Sequence, residues 1–296
     1  MQTEPSPADR LRQLLAQPGL ITMPCCCDGL SARLVEQAGF PLTFMSGFAA
    51  SAARLGMPDT GLISYGEMLD QGRNICAAAS IPVIGDADTG YGNPMNVRRT
   101  ISGYASAGCA CAMVEDQESP KRCGHTRGKR IVGRQEALNR IRAAVDQREA
   151  GSDILIMART DARHSQGMQE ALWRCQAFAD LGADIIFLEA PRSREEMEQF
   201  CRAIPGPKMA NMVEQGDTPL LPPEQLEGIG YKIAAYPLTL ISSAIRAMQE
   251  ALAALQQGGH PDNLLPFADL RTIVGFDEYD SELNRYPASD NGDLCD

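Results

Sequence analysis

Residues 81–116, IPVIGDADTGYGNPMNVRRTISGYASAGCACAMVED, contain one complete strand–helix–strand unit. The largely apolar runs at 81–88 and 109–116 are typical of strands buried on both faces, and residues 95–107 between them have helical periodicity. Gly108 follows this helix, at the place where a glycine commonly ends one. The stretch therefore predicts a parallel β–α–β repeat.

The same pattern recurs along the chain. Eight short apolar segments lie at 20–25, 41–47, 81–88, 109–116, 153–161, 184–190, 207–213 and 231–237. Helical periodicity lies between most of them, at 29–38, 95–107, 134–148, 168–181 and 194–203. Eight strands that alternate with helices favour a (β/α)8 barrel. An eight-stranded doubly wound sheet is the alternative, but no G-x-G-x-x-G motif follows the first strand.

A chain of 296 residues is compatible with one large domain or with two ordinary ones. A barrel of this kind occupies about 240 residues. An apolar helix at 240–257 and one or two further helices within 267–286 then extend it. We therefore predict a single domain over residues 1–286, and a disordered polar tail over 287–296.

Composition limits the kind of partner. The 38 acidic and 27 basic residues give a net charge of −11, which would repel a phosphate backbone, so we expect no nucleic-acid binding. No run of 18 apolar residues is present and the first ten residues are polar, so we expect neither a membrane span nor a secretory signal. These features predict a cytoplasmic protein with a small-molecule ligand, in which the ten cysteines are reduced thiols.

Polar residues are concentrated where the predicted strands end, and in a barrel the carboxyl ends of the strands meet at one face. Carboxylates that crowd together raise each other's pKa unless a cation joins them. Ligand sets made only of oxygen suit Mg²⁺, with Mn²⁺ as the alternative. The carboxylates at the strand ends therefore predict a divalent metal site. The polar residues at these ends are Ser46, Gly47, Asp86, Asp88, Glu115, Asp116, Arg159, Asp161, Glu189 and Asn211.

A basic loop, SPKRCGHTRGKR at 119–130, follows the fourth strand, and six lysines or arginines lie between residues 121 and 134. One interpretation is a solvated basic loop with an incidental cysteine. The other is a mobile lid that closes over an anionic substrate and brings in Cys123, whose thiol pKa the neighbouring cations would lower.

The strings MPCCCDGLSARLVEQAGF, PVIGDADTGYGN, VEDQESPKRCGH, ARTDA, LEAPRS and ANMVEQG occur in this order. Together they resemble the isocitrate lyase and phosphoenolpyruvate mutase superfamily. The similarity is to the short branch that holds 2-methylisocitrate lyase, 2,3-dimethylmalate lyase, oxaloacetate acetylhydrolase and petal-death-type lyases. The resemblance implies a Mg²⁺-dependent barrel whose eighth helix is exchanged between two subunits, commonly in a homotetramer.

The resemblance also implies roles for individual residues. Asp86 would bind Mg²⁺ directly and Cys123 would be the acid or base on the loop. The water shell of the metal would be held by Asp59, Asp88 and Glu115. The 2-oxo acid end of the substrate would contact Ser46, the amides of Gly47 and Phe48, and Arg159. The other carboxylate would contact Glu189, Asn211 and the amides of Gly124 and His125.

Departures from the family pattern narrow the expected substrate. Ser242 stands where methylisocitrate lyases have an arginine for a third carboxylate, and an unpaired carboxylate would be costly to desolvate. Pro237 stands where oxaloacetate acetylhydrolases have a serine, and phosphoenolpyruvate mutases lack the Cys-Gly-His of the loop. We therefore expect a lyase for 2-alkylmalate or 2,3-dimethylmalate.

The alternatives are a carboxyphosphonoenolpyruvate-type phosphonomutase, 2-methylisocitrate lyase or oxaloacetate hydrolase activity, and a non-catalytic sensor of 2-oxo acids. The substituent on the substrate would be set by the pocket walls. We expect these walls at Pro237 and at Phe44, Met45, Phe48, Met212, Leu240 and Ile241.

Overall fold

The computed structural model describes residues 4–124 and 128–286. Eight parallel strands form a closed barrel in which each strand pairs with the next along the chain and the eighth pairs with the first. All eight predicted strands are confirmed, and with them the (β/α)8 fold. The strands are β1 Ile21–Cys26, β2 Thr43–Met45, β3 Val83–Asp86, β4 Cys111–Glu115, β5 Leu155–Thr160, β6 Ile185–Leu188, β7 Lys208–Asn211 and β8 Ile233–Tyr236.

Helices connect successive strands. Those predicted from periodicity are confirmed as α2 Gly29–Gln37, α5 Pro94–Ser106, α6 Arg134–Glu149, α8 Met168–Asp180, α9 Arg194–Ala203 and α11 Thr239–Gln256, followed by α12 Phe267–Val274 and α13 Phe276–Leu283. Sequence reasoning missed α1 Pro7–Ala16, α3 Gly47–Leu55, α4 Tyr65–Ala78, α7 Ala162–Gln166 and α10 Pro223–Ile229. For α4 a signal was present, because Ser64 and Glu67 form a capping box at its start.

Side chains alternate along each strand between two apolar clusters. On β4, Cys111 and Met113 belong to the cluster that fills the barrel, whereas Ala112 and Val114 belong to the cluster between strands and helices. This alternation is the period of two expected of a strand buried on both faces. Helix α1 packs against the inner cluster through Leu11. The barrel interior is therefore a packed core, and a ligand can be held only at the ends of the strands.

The chain divides into two compact units, Met1–Ala244 and Ile245–Asp296. The first contains all eight strands. In the second, α12 and α13 contact each other and bury no residue, and their apolar side chains, such as Phe267 and Phe276, are exposed. The prediction of a single domain over 1–286 stays a prediction. The tail predicted to be disordered, 287–296, lies outside the described residues.

Within the described ranges, the helices are all too short or too polar to cross a lipid bilayer. Over the same ranges no disulfide joins any of the cysteines.

Candidate active site

A cavity opens at the carboxyl ends of the strands. Its walls combine apolar side chains from the barrel core with carboxylates, cations and two thiols. It is lined by Cys25, Phe44, Ser46, Phe48, Asp59, Asp86, Met113, Lys121, Arg122, Cys123, Gly124, Arg159, Phe187, Glu189, Met209, Asn211, Val213, Ala235, Pro237 and Leu238. A concave, mostly apolar site with a few convergent polar groups is typical of small-molecule binding.

Asp86, the last residue of β3, is fixed by the start of α3. Its Oδ2 accepts a hydrogen bond from the Gly47 amide at 3.1 Å, and its Oδ1 accepts one from the Asp88 amide at 3.0 Å. A Cβ at position 47 would overlap the Asp86 carboxylate, so the close approach requires glycine. Ser46 caps α3 through its Oγ. The Gly47 amide, predicted to contact substrate, thus orients Asp86 in this structure.

Lys121 lies between two buried carboxylates. Its Nζ is 2.6 Å from Asp59 Oδ1 and 2.9 Å from Asp88 Oδ1. Burial lowers the pKa of Lys121, but the surrounding acids, Asp88 first, outweigh burial and raise the pKa well above its ordinary value. Burial raises the pKa of Asp88 to about 7, against the opposing effect of Lys121. One lysine therefore does not fully compensate the negative charge of this end of the barrel.

The donor set fits a divalent cation. Asp59 Oδ1 and Asp88 Oδ1 share the Lys121 ammonium, and the buried Glu115 Oε1 accepts no hydrogen bond. Burial raises the pKa of Glu115 well above its ordinary value, and the charges of Asp161 and Asp86 add to this effect. Over residues 4–124 and 128–286, no three Asp, Glu, His or Cys side chains form a complete metal cage. A Mg²⁺ ion usually takes only one or two carboxylates directly and completes its shell with water.

Arg159 is held by three carboxylates. Its Nε lies 3.2 Å from Glu115 Oε2 and 2.9 Å from Asp161 Oδ2, and its Nη2 lies 3.2 Å from Glu189 Oε2. Burial lowers the pKa of Arg159, but these acids raise it well above its ordinary value. The side chain lines the cavity, where a fixed guanidinium can pair with a substrate carboxylate.

Glu189 and the loop backbone form the opposite wall. Asn211 Nδ2 lies 3.3 Å from both carboxylate oxygens of Glu189. The Gly124 backbone covers the pair formed by Arg159 and Glu189, since a Cβ on Gly124 would lie 2.6 Å from Arg159 Nη2 and 2.6 Å from Glu189 Cδ. Cys123 lines the same cavity, so the structure brings the loop thiol to the strand ends.

A second layer of buried charges supports this wall. Asp116 accepts hydrogen bonds from Thr160 Oγ1 at 2.6 Å, from the Asp161 amide at 2.9 Å and from Arg174 Nη1 at 3.0 Å. Burial raises the pKa of Asp116. Arg174 also donates to the Val132 carbonyl, just after the basic loop. Sequence reasoning placed Asp116 and Asp161 at strand ends but missed Arg174, which lies on a helix.

The structure brings most of the predicted site residues together, and their roles stay predictions. On the cavity wall are Ser46, Phe48, Asp59, Asp86, Cys123, Gly124, Arg159, Glu189, Asn211 and Pro237. Gly47, Asp88 and Glu115 lie behind that wall and contact the residues on it. His125 lies outside the described residues.

Four of the residues expected on the pocket walls do not line the cavity: Met45, Met212, Leu240 and Ile241. Met45 and Met212 are fully buried in the cluster between strands and helices, so they do not line the cavity. The cause is strand alternation, because Phe44 and Asn211 face the cavity and their neighbours must then face outward. Met113, Phe187 and Met209, which sequence reasoning did not select, form the apolar floor instead.

The chain is similar to known proteins over most of its length. The family described as phosphoenolpyruvate phosphomutase matches residues 11–256. The 2,3-dimethylmalate lyase of Eubacterium barkeri is 42% identical over 275 residues, which are 92% of this chain and 95% of that enzyme. A solved structure of oxaloacetate acetylhydrolase in complex with the inhibitor 3,3-difluorooxalacetate has a TM-score of 0.91 and 38% identity, over 96% of this chain and 98% of that one.

A solved phosphonopyruvate hydrolase complex with oxalate and Mg²⁺ has a TM-score of 0.84 and 29% identity, over 95% of this chain and 99% of that one. The resemblance inferred from the motifs is thus confirmed. The chain belongs to the phosphoenolpyruvate phosphomutase family, within the phosphoenolpyruvate mutase and isocitrate lyase superfamily.

Proposed function

We propose that this protein is a Mg²⁺-dependent carbon–carbon lyase that cleaves a 2-hydroxy dicarboxylate, of the 2-alkylmalate or 2,3-dimethylmalate type, to a 2-oxo acid and a carboxylate. One observation carries the proposal: a single cavity joins Asp86, Arg159, Glu189, Asn211 and Cys123. The similarity to the 2,3-dimethylmalate lyase supports the substrate class.

Asp86 would bind the metal directly, and Asp59, Asp88 and Glu115 would hold its water ligands; Mn²⁺ could replace Mg²⁺. Two observations support this assignment: the buried Glu115 Oε1 accepts no hydrogen bond, and the Asp59 and Asp88 carboxylates share one lysine. When bound, the ion lowers the pKa of the substrate 2-hydroxyl and polarises the carbonyl that develops at C2. Because four carboxylates surround one lysine, the site also has the negative charge that a divalent cation requires.

The remaining side chains would bind the substrate and move one proton. Arg159 and the hydroxyl of Ser46 would hold the end that becomes the 2-oxo acid. Asn211, Glu189 and the Gly124 amide would hold the second carboxylate. As the 2-hydroxyl becomes the C2 carbonyl, its proton would pass to one of the carboxylates around Lys121. The electron pair of the breaking C2–C3 bond would pass to C3 and spread into the second carboxylate, where hydrogen-bond donors stabilise it. Cys123 would then donate its thiol proton to C3.

A substrate panel tests the proposal. Malate, 2-methylmalate, 2,3-dimethylmalate, 2-methylisocitrate and oxaloacetate are each incubated with the protein and Mg²⁺, and release of the 2-oxo acid, or of oxalate from oxaloacetate, is followed. We expect turnover of an alkylmalate that EDTA abolishes and that Cys123→Ser reduces by at least about 10²-fold, the scale of general acid catalysis. Cys76→Ser is the matched control, because Cys76 is half-buried and does not line the cavity.

Full turnover in Cys123→Ser would refute the role of the thiol. A new phosphorus–carbon bond from a carboxyphosphonoenolpyruvate-type substrate, seen by phosphorus NMR without malate cleavage, would establish a phosphonomutase instead. Binding of 2-oxo acids with no turnover of any panel member would identify a sensor.

We also propose that the protein is a cytoplasmic homo-oligomer, a dimer of dimers that exchange the helix after β8. Apolar side chains exposed on the second unit support a protein partner: Ile245, Met248, Leu252, Leu255, Leu264, Leu265, Phe267, Leu270, Val274, Phe276, Tyr279, Leu283 and Tyr286. Exposed apolar patches of this kind mark association surfaces. Sedimentation equilibrium is expected to give the mass of four chains, and a monomer at micromolar concentration would refute the proposal.

A further inference from the structure

Lys129 is a buried cation of the basic loop that lies behind the cavity wall. Its side chain is 1% exposed, whereas the side chain of its neighbour Arg130 is 79% exposed and pairs with Glu118 at the surface. Burying an ammonium is costly unless it is paired and hydrogen-bonded. The burial of Lys129 therefore indicates a specific role that its exposed neighbour does not share.

Lys129 has two partners, one on the barrel and one on the loop. Its Nζ lies 3.2 Å from Asp161 Oδ1, and it donates a hydrogen bond to the carbonyl of Gly124. Asp161 is fully buried, and its carboxylate also accepts two hydrogen bonds from Arg159, at 2.9 and 3.0 Å. The Lys129 ammonium thus connects the Gly124 backbone, next to Cys123, with Asp161, which orients Arg159.

The Gly124 peptide has little freedom on its other side. The direction in which a Cβ would project from Gly124 is filled by Arg159 and Glu189. The peptide is therefore held between Lys129 and the two substrate-facing side chains. Because Cys123 is the residue directly before Gly124, holding Gly124 at its carbonyl and its Cα also restricts the backbone that carries the thiol.

We propose that Lys129 is a positioning residue. Its bridge from Asp161 to the Gly124 carbonyl holds Cys123 at a fixed position relative to Arg159 and Glu189. This inference rests on the proposed function for its effect on turnover, although the geometry it describes is independent of the substrate. Loss of the bridge leaves a buried carbonyl and a buried carboxylate each short of one donor. The thiol segment then shifts, and a shift of about 1 Å in a reacting group can cost about 10²-fold in rate.

Three substitutions separate the possible roles. Lys129→Met keeps the stem and removes both the charge and the donor, whereas Lys129→Gln keeps a donor without the charge. Arg130→Gln removes an exposed cation from the same loop and is the matched control. We expect kcat to fall about 10²-fold in Lys129→Met with a change in KM below about threefold, to recover in part in Lys129→Gln, and to be unchanged in Arg130→Gln.

The rate of Cys123 alkylation by iodoacetamide, followed by peptide mass spectrometry, tests the geometry without turnover. In the unmodified protein, oxalate with Mg²⁺ is expected to slow alkylation of Cys123. In Lys129→Met this protection should be lost while the buried Cys175 stays unreactive, which excludes general unfolding. Protection and kcat in Lys129→Met equal to those of Arg130→Gln would overturn the inference. If the unmodified protein cleaves no malate but shows a protection that Lys129→Met loses and Arg130→Gln keeps, the proposed function fails and the role of Lys129 stands.

Discussion

The substitution Gly124→Ala tests directly whether the loop backbone must lie against the cavity wall. The added Cβ would lie 2.6 Å from both Arg159 Nη2 and Glu189 Cδ, whereas ordinary contact begins at 3.4 Å. The added methyl group and these two side chains must therefore move apart by about 0.8 Å. Arg159 and Glu189 cannot yield easily, because they are buried and paired with each other. The Gly124 peptide has to lift instead, and with it the adjacent thiol.

A displacement of this size in a catalytic group is expected to reduce kcat/KM by about 10²-fold. Gly133→Ala is the matched control: it makes the same change at the start of α6, where an added Cβ meets nothing within 4 Å. The assay is the initial rate of 2-oxo acid release with saturating Mg²⁺, with thermal unfolding to show that both variants fold. Equal kcat/KM values for the two variants would refute the placement of Gly124 against the wall.

Two further predictions concern stability. Arg174→Met strips the buried carboxylate of Asp116 of its cation, which should lower the free energy of unfolding by about 3–5 kcal/mol and Tm by roughly 6–20 °C in calorimetry. Arg194→Met, at an exposed ion pair, should change Tm by less than about 2 °C, and similar shifts in both variants would contradict the argument. The second prediction concerns Asp88 in the presence of EDTA. In the folded protein the Asp88 carboxyl keeps its proton up to a pKa of about 7, whereas in the unfolded chain it releases the proton near pH 3.8. A rise in pH between these values therefore favours the unfolded chain. Stability should therefore fall between about pH 4 and pH 7, and urea midpoints of Asp88→Asn should lack this part of the slope.

The fold was predictable because the strands are continuous apolar runs that end in polar residues. In β3 and β5 the terminal Asp86 and the penultimate Arg159 reach the cavity as the sequence predicts. The direction of each side chain was harder to predict, because a strand that is apolar throughout does not show which of its residues face the barrel interior. Met45 and Met212 were assigned to the wrong side for this reason.

Buried charges on helices and loops were beyond sequence reasoning. Arg174 lies on a helix whose periodicity marks one face as polar, and a sequence alone suggests that such an arginine is solvated. Its partner Asp116 is 58 residues away on a different element, so only the closed barrel brings them together. Lys121 and Lys129 pose the same problem, because the composition of the loop shows that it is basic but not which cations enter the site.

These two lysines explain how an acidic barrel end and a basic loop depend on each other. Lys121 enters the carboxylate cluster that contains Asp59 and Asp88, and Lys129 enters the buried pair of Asp161 and Arg159. If the loop moved away, the barrel carboxylates would lose their lysine partners. A buried charge without a partner is costly, so these pairs oppose that movement. Buried ion pairs thus help to hold the described part of the loop on the barrel. High salt screens buried pairs much less than exposed ones, so the loop contacts should persist at ionic strengths that abolish surface pairs such as Arg130 with Glu118.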